Sequence, residues 1–307
     1  MNAITQTLEA LQTAPAQHYH NLTVFPLLSS APLAQGYLTL DEALERGAAR
    51  ITELTHGGSV PELRFDNLSE RPVLLLDGEE LVGAKQNRVL NISILVGGFA
   101  KIVIPVSCVE RGRWHHLSRE FGSGKRHLYA RARAAKMAQV SQSMRTNGSR
   151  RSNQHAVWEG IAAKSMILGC MSDTEAMADI YEHESARLEG FEKAFRPLER
   201  QVGAVFAING RILGAELFDS AEVFAKVLAK LVGSYAMDAI EEPDEKREPP
   251  AEATVRDFLS CIRGSDLQSF PAVGEGQDLR LHGRRISGGA LLADGRLVHL
   301  SAFSVAE

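Results

Sequence analysis

Cysteine is scarce in this 307-residue chain: Cys108, Cys170 and Cys261 are the only three, odd in number and far apart. That excludes the paired framework of a small secreted domain and fits a reducing, cytoplasmic setting. Long apolar runs are lacking as well. The best candidate, Val89 to Val109, is interrupted by Asn91, Ser93, Gly97, Gly98, Lys101 and Pro105, which excludes a membrane span. The first eleven residues carry Glu9 and have neither a basic start nor an apolar core, so they do not read as a secretory signal. Neither sign of charge dominates, and a net charge of -4 predicts no nucleic-acid or membrane partner for the molecule as a whole. Metal-ligand spacing is absent too: there is no CxxC or HExxH, and His18, His20, His115 and His116 are merely clustered. No metal is expected, and no cofactor is indicated.

What is present reads as an ordinary globular mixture, 44% hydrophobic and 23% charged, which rules out wholesale disorder. Leu22 to Leu28 is a short strand-like run. Thr39 with Glu42 forms a capping box, and Gly47 closes the short helix it opens. Val73 to Leu76, Val89 to Val96 and Ile102 to Val109 read as strands linked by turns at Asp77-Gly78 and Gly97-Gly98. From Lys125 to Gly169 alanines replace the β-branched runs, predicting two helices divided near Thr146-Asn147-Gly148-Ser149. A capping box at Ser172 and Glu175 opens an amphipathic helix that runs to Pro197.

Asn209-Gly210 between Val202–Ile208 and Ile212–Phe218 is the strongest hairpin signal, because both residues accept the positive φ of a type I′ turn. A helix capped by Asp219 follows, then an acidic, proline-rich loop at 241–252, a helix near Val255 to Ile262, and strands around Asp294-Gly295. These elements predict an α+β fold, mainly an antiparallel or mixed sheet with a central helical insertion, in a single domain over 1–307 with 241–252 exposed. A faint echo joins Leu75–Ala84 to Ala207–Ala215. It reads either as duplicated halves or as hairpins drawing on the same turn residues.

Several features carry candidate chemistry. If Lys85 to Leu95 is extended, Lys85, Asn87, Asn91 and Ser93 share one face, which suits phosphate, ribose or carboxylate groups or else solvent. Between Arg111 and Arg151 stand eleven Lys or Arg residues and one acid, Glu120, with Trp114, His115, His116 and Tyr129 interleaved. Such a stretch suits phosphate-bearing ligands or single-stranded nucleic acid, or is simply solvated or paired within the chain. Gly122-Ser123-Gly124-Lys125-Arg126 lacks the spacing of a phosphate-cradling P-loop and reads as a basic loop. Cys108, with Glu110, His115 and His116 near it, is either a nucleophile or a buried core thiol. Trp158 reads as packing with Ile161, and Glu216 alternates away from Ala215 and Leu217, toward solvent or a polar site.

The run Leu74 to Arg88, with Ile104 to Glu110 and Gly112-Arg113-Trp114, resembles the ARG and rhodanese-phosphatase-superfamily-associated protein family, as does the Gly203 to Phe218 hairpin. That family's association with ADP-ribosylglycohydrolases and phosphatases implies a role near NAD-derived ADP-ribose chemistry. The family-like polar positions here are Glu79, Glu80, Lys85, Gln86, Asn87, Arg88, Cys108, Glu110, Arg113 and Trp114. On this reading Lys85, Arg88 and Arg113 meet phosphate, Asn87 and Asn91 meet ribose or amide groups, and Trp114 stacks a base. Glu79 and Glu110 are the general acid/base candidates should hydrolysis occur. A nucleic-acid module using residues 111–151 and a non-catalytic oligomeric scaffold are the alternatives.

Overall fold

The computed structural model describes residues 2–55 and 60–305. In chain order it begins with α1 (Ala3–Glu9), β1 (Leu11–Thr13), β2 (Gln17–Tyr19), β3 (Leu22–Ser29), β4 (Leu38–Thr39), α2 (Leu40–Glu45), β5 (Ala49–Glu53) and β6 (Glu62–Asn67). There follow β7 (Val73–Leu75), β8 (Glu79–Gly83), β9 (Arg88–Leu90), β10 (Ile94–Val96), β11 (Lys101–Cys108) and β12 (Phe121–His127). The helical insertion is α3 (Ala130–Asn147), α4 (Gln154–Ile167), α5 (Met177–His183) and α6 (Ser185–Ala194). Last come β13 (Gln201–Ile208), β14 (Arg211–Phe218), α7 (Ala221–Glu241), α8 (Glu252–Arg263), β15 (Asp266–Pro271), β16 (Gln277–His282), β17 (Ile286–Ala293) and β18 (Arg296–Ser304). The fold is α+β with antiparallel and mixed sheets, and no helix among the described residues is long and apolar enough to cross a membrane.

Two compact units emerge. The terminal unit comprises Met1–Gln35, Glu189–Ala272 and Gly276–Glu307, and the central unit Gly36–Leu188 with Val273–Glu275. The terminal unit holds a nine-stranded antiparallel sheet ordered β1-β3-β13-β14-β18-β17-β16-β15, with β2 also on β3. Alternation along its strands sends Phe25, Leu27, Ala215, Leu217, Leu300 and Ala302 to the face covered by α1 and α8, where Ile4, Leu8, Val255 and Phe258 complete the core. On β13 packs α7, whose Tyr235 stacks on Phe206 with ring centroids 3.9 Å apart.

In the central unit a six-stranded sheet runs β12-β8-β9-β11-β6-β5, beside a three-stranded one ordered β10-β7-β4. The Thr39 capping box forms as the sequence predicts, its hydroxyl accepting from the Glu42 N–H and the Glu42 carboxylate accepting from the Thr39 N–H. Gln154 anchors α4 to β11, since its side-chain amide accepts from the Cys108 N–H at 2.7 Å and donates to the Cys108 carbonyl at 2.8 Å.

Four expectations are corrected. Lys85 to Leu95 is not one strand: Gly83 at φ 122° and Ala84 at φ 39° turn the chain, and a bend separates β9 from β10, so the polar row does not share a face. Gly122 to Arg126 lies in β12 rather than in a loop or helix. Ser172 does not cap a helix reaching Pro197. It donates to Asp179 and accepts from the Ala176 N–H, α5 starts at Met177, and the helix breaks at Glu184. Glu216 faces away from Leu217 as alternation requires, yet it is fully buried, because Tyr235, Ser301 and His299 surround it.

Candidate functional site

Charged side chains are usually excluded from interiors unless paired, and the central unit buries many of them, each for a legible reason. At the β7–β8 turn Asp77 accepts from Lys136, which also donates to the Leu90 carbonyl at 2.8 Å, while Arg133 lies 3.7 Å from the same carboxylate. Gly78 is required there: its φ is +84°, and a Cβ would meet the Arg133 side chain at 2.9 Å. Glu79 closes the same turn by accepting from the Leu76 N–H at 2.8 Å.

A second cluster organises the chain after β8. Arg113 forks onto Glu110, its Nε donating at 2.8 Å and its terminal nitrogen at 2.6 Å. It also donates to the Ala84 carbonyl at 2.7 Å and to the Asn87 side chain at 3.1 Å. Glu110 further accepts from the Asn87 N–H at 3.0 Å. Burial pushes the Glu110 carboxyl up, but the Arg113 fork and the Asn87 N–H outweigh it and hold it below the usual range. Ser118 donates to the Glu120 carbonyl at 2.6 Å and accepts from the Ala84 N–H at 2.9 Å, and the Leu117 N–H reaches the Ala84 carbonyl at 2.9 Å. The segment from Gly112 to Glu120, irregular in itself, is thereby fixed on the turn at 83–87.

That segment forms one wall of a cleft of about 840 Å³, lined by His116 to Arg119 on this side and by Thr52 to Thr55 at the end of β5. The volume suits a small organic ligand. Glu53 in this lining has a side chain only 7% exposed, and Arg88, with no exposure at all, lies behind it at 4.0 Å from guanidinium nitrogen to carboxylate oxygen. One terminal nitrogen of Arg88 donates to the Gln86 carbonyl and side chain at 3.0 and 3.2 Å. Its Nε and other terminal nitrogen, and both oxygens of Glu53, have no hydrogen-bond partner. Burial pulls the Arg88 guanidinium below its ordinary range, opposed by Cys108 and Glu53. Trp114, 47% exposed, lies against Arg88, its ring centroid 5.9 Å from the Arg88 guanidinium carbon and 5.2 Å from Lys85 Nζ.

A family model for the ARG and rhodanese-phosphatase-superfamily-associated protein domain matches residues 10–303. The chain belongs to this family. No curated protein and no solved structure matches it.

In this member of the family the structure brings Lys85, Arg88 and Trp114 together, in contact across one ring. Arg113, Glu110 and Asn87 are joined to one another beside them, engaged in holding the loop. Asn91 stands apart: it accepts from Ser107 at 2.6 Å and donates to the Arg150 carbonyl at 3.0 Å, tying β9 to the α3–α4 connection. Cys108 is enclosed, its thiol donating toward the Gln86 side chain and the Glu110 carbonyl, each at 3.1 Å. Burial pushes that thiol up, so it is held as the thiol rather than the nucleophilic thiolate.

Glu53 does not figure among the residues read from sequence, and Glu80 figures there only as a family-like polar position. Glu53 shares the period-two face of Ile51, whose side chain is wholly buried, and a carboxylate on the apolar face of a strand was the available signal. Glu80 is completely buried, 3.3 Å from Arg126, with neither oxygen hydrogen-bonded. Burial, reinforced by Glu110 and Asp179 and opposed by Arg126, pushes it up to about 7.

Proposed function

We propose that the central unit binds a nucleotide-class ligand of the ADP-ribose type in the cleft lined by Thr52 to Thr55 and His116 to Arg119, with Trp114 contributing from the same loop. One observation carries this reading: a buried carboxylate in the lining of a ligand-sized cleft stops short of a buried guanidinium that itself lies against an exposed indole. Trp114 offers a stacking face, Lys85 a cation for phosphate, and Arg119 at the rim a second one. The family's association with ADP-ribosylglycohydrolases and phosphatases points the same way. Glu110 and Arg113 serve here as the brace of the site, and Glu53 replaces Glu79 as the carboxylate that faces the ligand. Three free thiols agree with a cytoplasmic setting.

Much of the charge in residues 111–151 is answered within the chain, which favours a small ligand over nucleic acid. Arg113 pairs with Glu110, Lys136 with Asp77, Arg126 with Glu80, Lys125 with Glu45 and Arg111 with Glu175. Thermal-shift titration with ADP-ribose, NAD, ADP and a short oligonucleotide at two salt concentrations tests the reading. A salt-tolerant shift with ADP-ribose is expected, weakened about tenfold by Trp114→Ala and less by Lys85→Ala. A shift confined to the oligonucleotide and abolished by salt, or an ADP-ribose shift untouched by Trp114→Ala, would contradict it.

A further inference from the structure

The unmet edge between Glu53 and Arg88 specifies the chemistry of whatever completes it. Arg88 has committed one terminal nitrogen to Gln86, and the Nε and second terminal nitrogen remain as donors. Glu53 contributes two acceptor oxygens and no donor while ionised. At 4.0 Å the pair is too long for a hydrogen bond of its own. A phosphate or carboxylate would satisfy the arginine and be repelled by Glu53. An ammonium group would do the reverse. A hydroxyl answers both, because it accepts from an N–H with a lone pair and donates its proton to the carboxylate, sitting off the N···O line at about 2.7–2.9 Å from each.

We infer that Glu53 and Arg88 read a sugar hydroxyl, so that the cleft selects ribonucleotides over their deoxy counterparts. This rests on the nucleotide reading above and makes it specific. Trp114 lies over Arg88 and takes the planar group beside the hydroxyl position, and Lys85, on the same ring, takes the anion. The three parts correspond to base, ribose and phosphate. A hydrogen bond to a charged group in a desolvated site discriminates strongly, since an analogue lacking the hydroxyl leaves both charges unmet.

The experiment is calorimetric titration of the full chain with ADP, 2′-deoxy-ADP and 3′-deoxy-ADP, repeated on Glu53→Gln and Trp114→Ala. The expected result is that removing one of the two hydroxyls weakens binding to the wild type about ten- to a hundredfold. In Glu53→Gln that difference should shrink to a few-fold, while Trp114→Ala weakens all three alike. Equal affinity of the wild type for ADP and both deoxy analogues, with Trp114→Ala still weakening them, would overturn the hydroxyl assignment and leave the nucleotide site, the pair then being bridged by a structural water. Failure of all three to bind would overturn both. The analogue series on the wild type decides the matter even if Glu53→Gln does not fold.

Discussion

Glu80 is a buried carboxylate whose protonation ties stability to pH. Its ordinary value near 4.5 is pushed up to about 7, first by burial, with Glu110 and Asp179 adding to the shift and Arg126 opposing it. The folded protein therefore keeps a proton that the unfolded chain releases. Stability from this group is fully present below about 4.5 and falls as pH rises toward about 7, by roughly 3 kcal/mol in all. Glu80→Gln should flatten that slope, matching the wild type near pH 4.5 and exceeding it at pH 8, as read from urea midpoints across the range. An unchanged slope would place the titration elsewhere. Glu216 shows why such residues are hard to see in a sequence. Alternation put it correctly on the face opposite Leu217, but only the position of α7 decides that Tyr235, rather than water, meets it. Tertiary cover of a sheet's second face leaves no mark in the period of the strand.

Among the elements, those with local causes were the legible ones. Asn209-Gly210 and Asp294-Gly295 adopt the positive φ values their hairpins need, at 47° and 73°, and 50° and 73°. The Thr39 helix cap and the division of α3 from α4 at Gly148 also follow from neighbouring residues. Elements fixed from afar were not legible. The segment from Lys85 to Leu95 has the composition of a strand, yet Arg113, Ser118 and Ser107 seize the turn at 83–87 and Asn91 through side-chain bonds spanning 16 to 34 residues. Similarly, Asp77-Gly78 resembles Asn209-Gly210 in sequence, but β7 and β8 pair with other strands and form no hairpin, whereas β13 and β14 pair with each other. As for the candidate site, the sequence names Lys85, Arg88 and Trp114, which the structure brings together around one ring, but not the bonds by which Arg113 holds the 83–87 turn.

Arg113 gives the element-scale prediction. It holds the 112–120 segment against the 83–87 turn through Glu110, Ala84 and Asn87, so Arg113→Ala should destabilise the protein by about 3–5 kcal/mol and leave Glu110 buried without its partner. Arg113→Lys should recover little, because an ammonium cannot reproduce the fork. Chemical denaturation of both variants checks this. Near-wild-type midpoints for the lysine variant would show that charge alone suffices.

For the molecule as a whole, a modest net charge conceals a local excess of cations in the central unit, and the structure answers much of it internally with Asp77, Glu80 and Glu110. What sets the Glu53–Arg88 pair apart from these ion pairs is its place: like Glu80 beside Arg126, Glu53 has neither oxygen hydrogen-bonded, but Glu53 lines a ligand-sized cleft, whereas Asp77 and Glu110 accept hydrogen bonds from Lys136 and Arg113. The most direct test of the account uses the chain's two tryptophans. In a Trp158→Phe background, Trp114 is the sole indole, and its fluorescence is followed during titration with ADP-ribose. A saturable change that Lys85→Ala weakens is the predicted result. Binding registered by calorimetry without any response of Trp114 would place the ligand elsewhere and contradict the account.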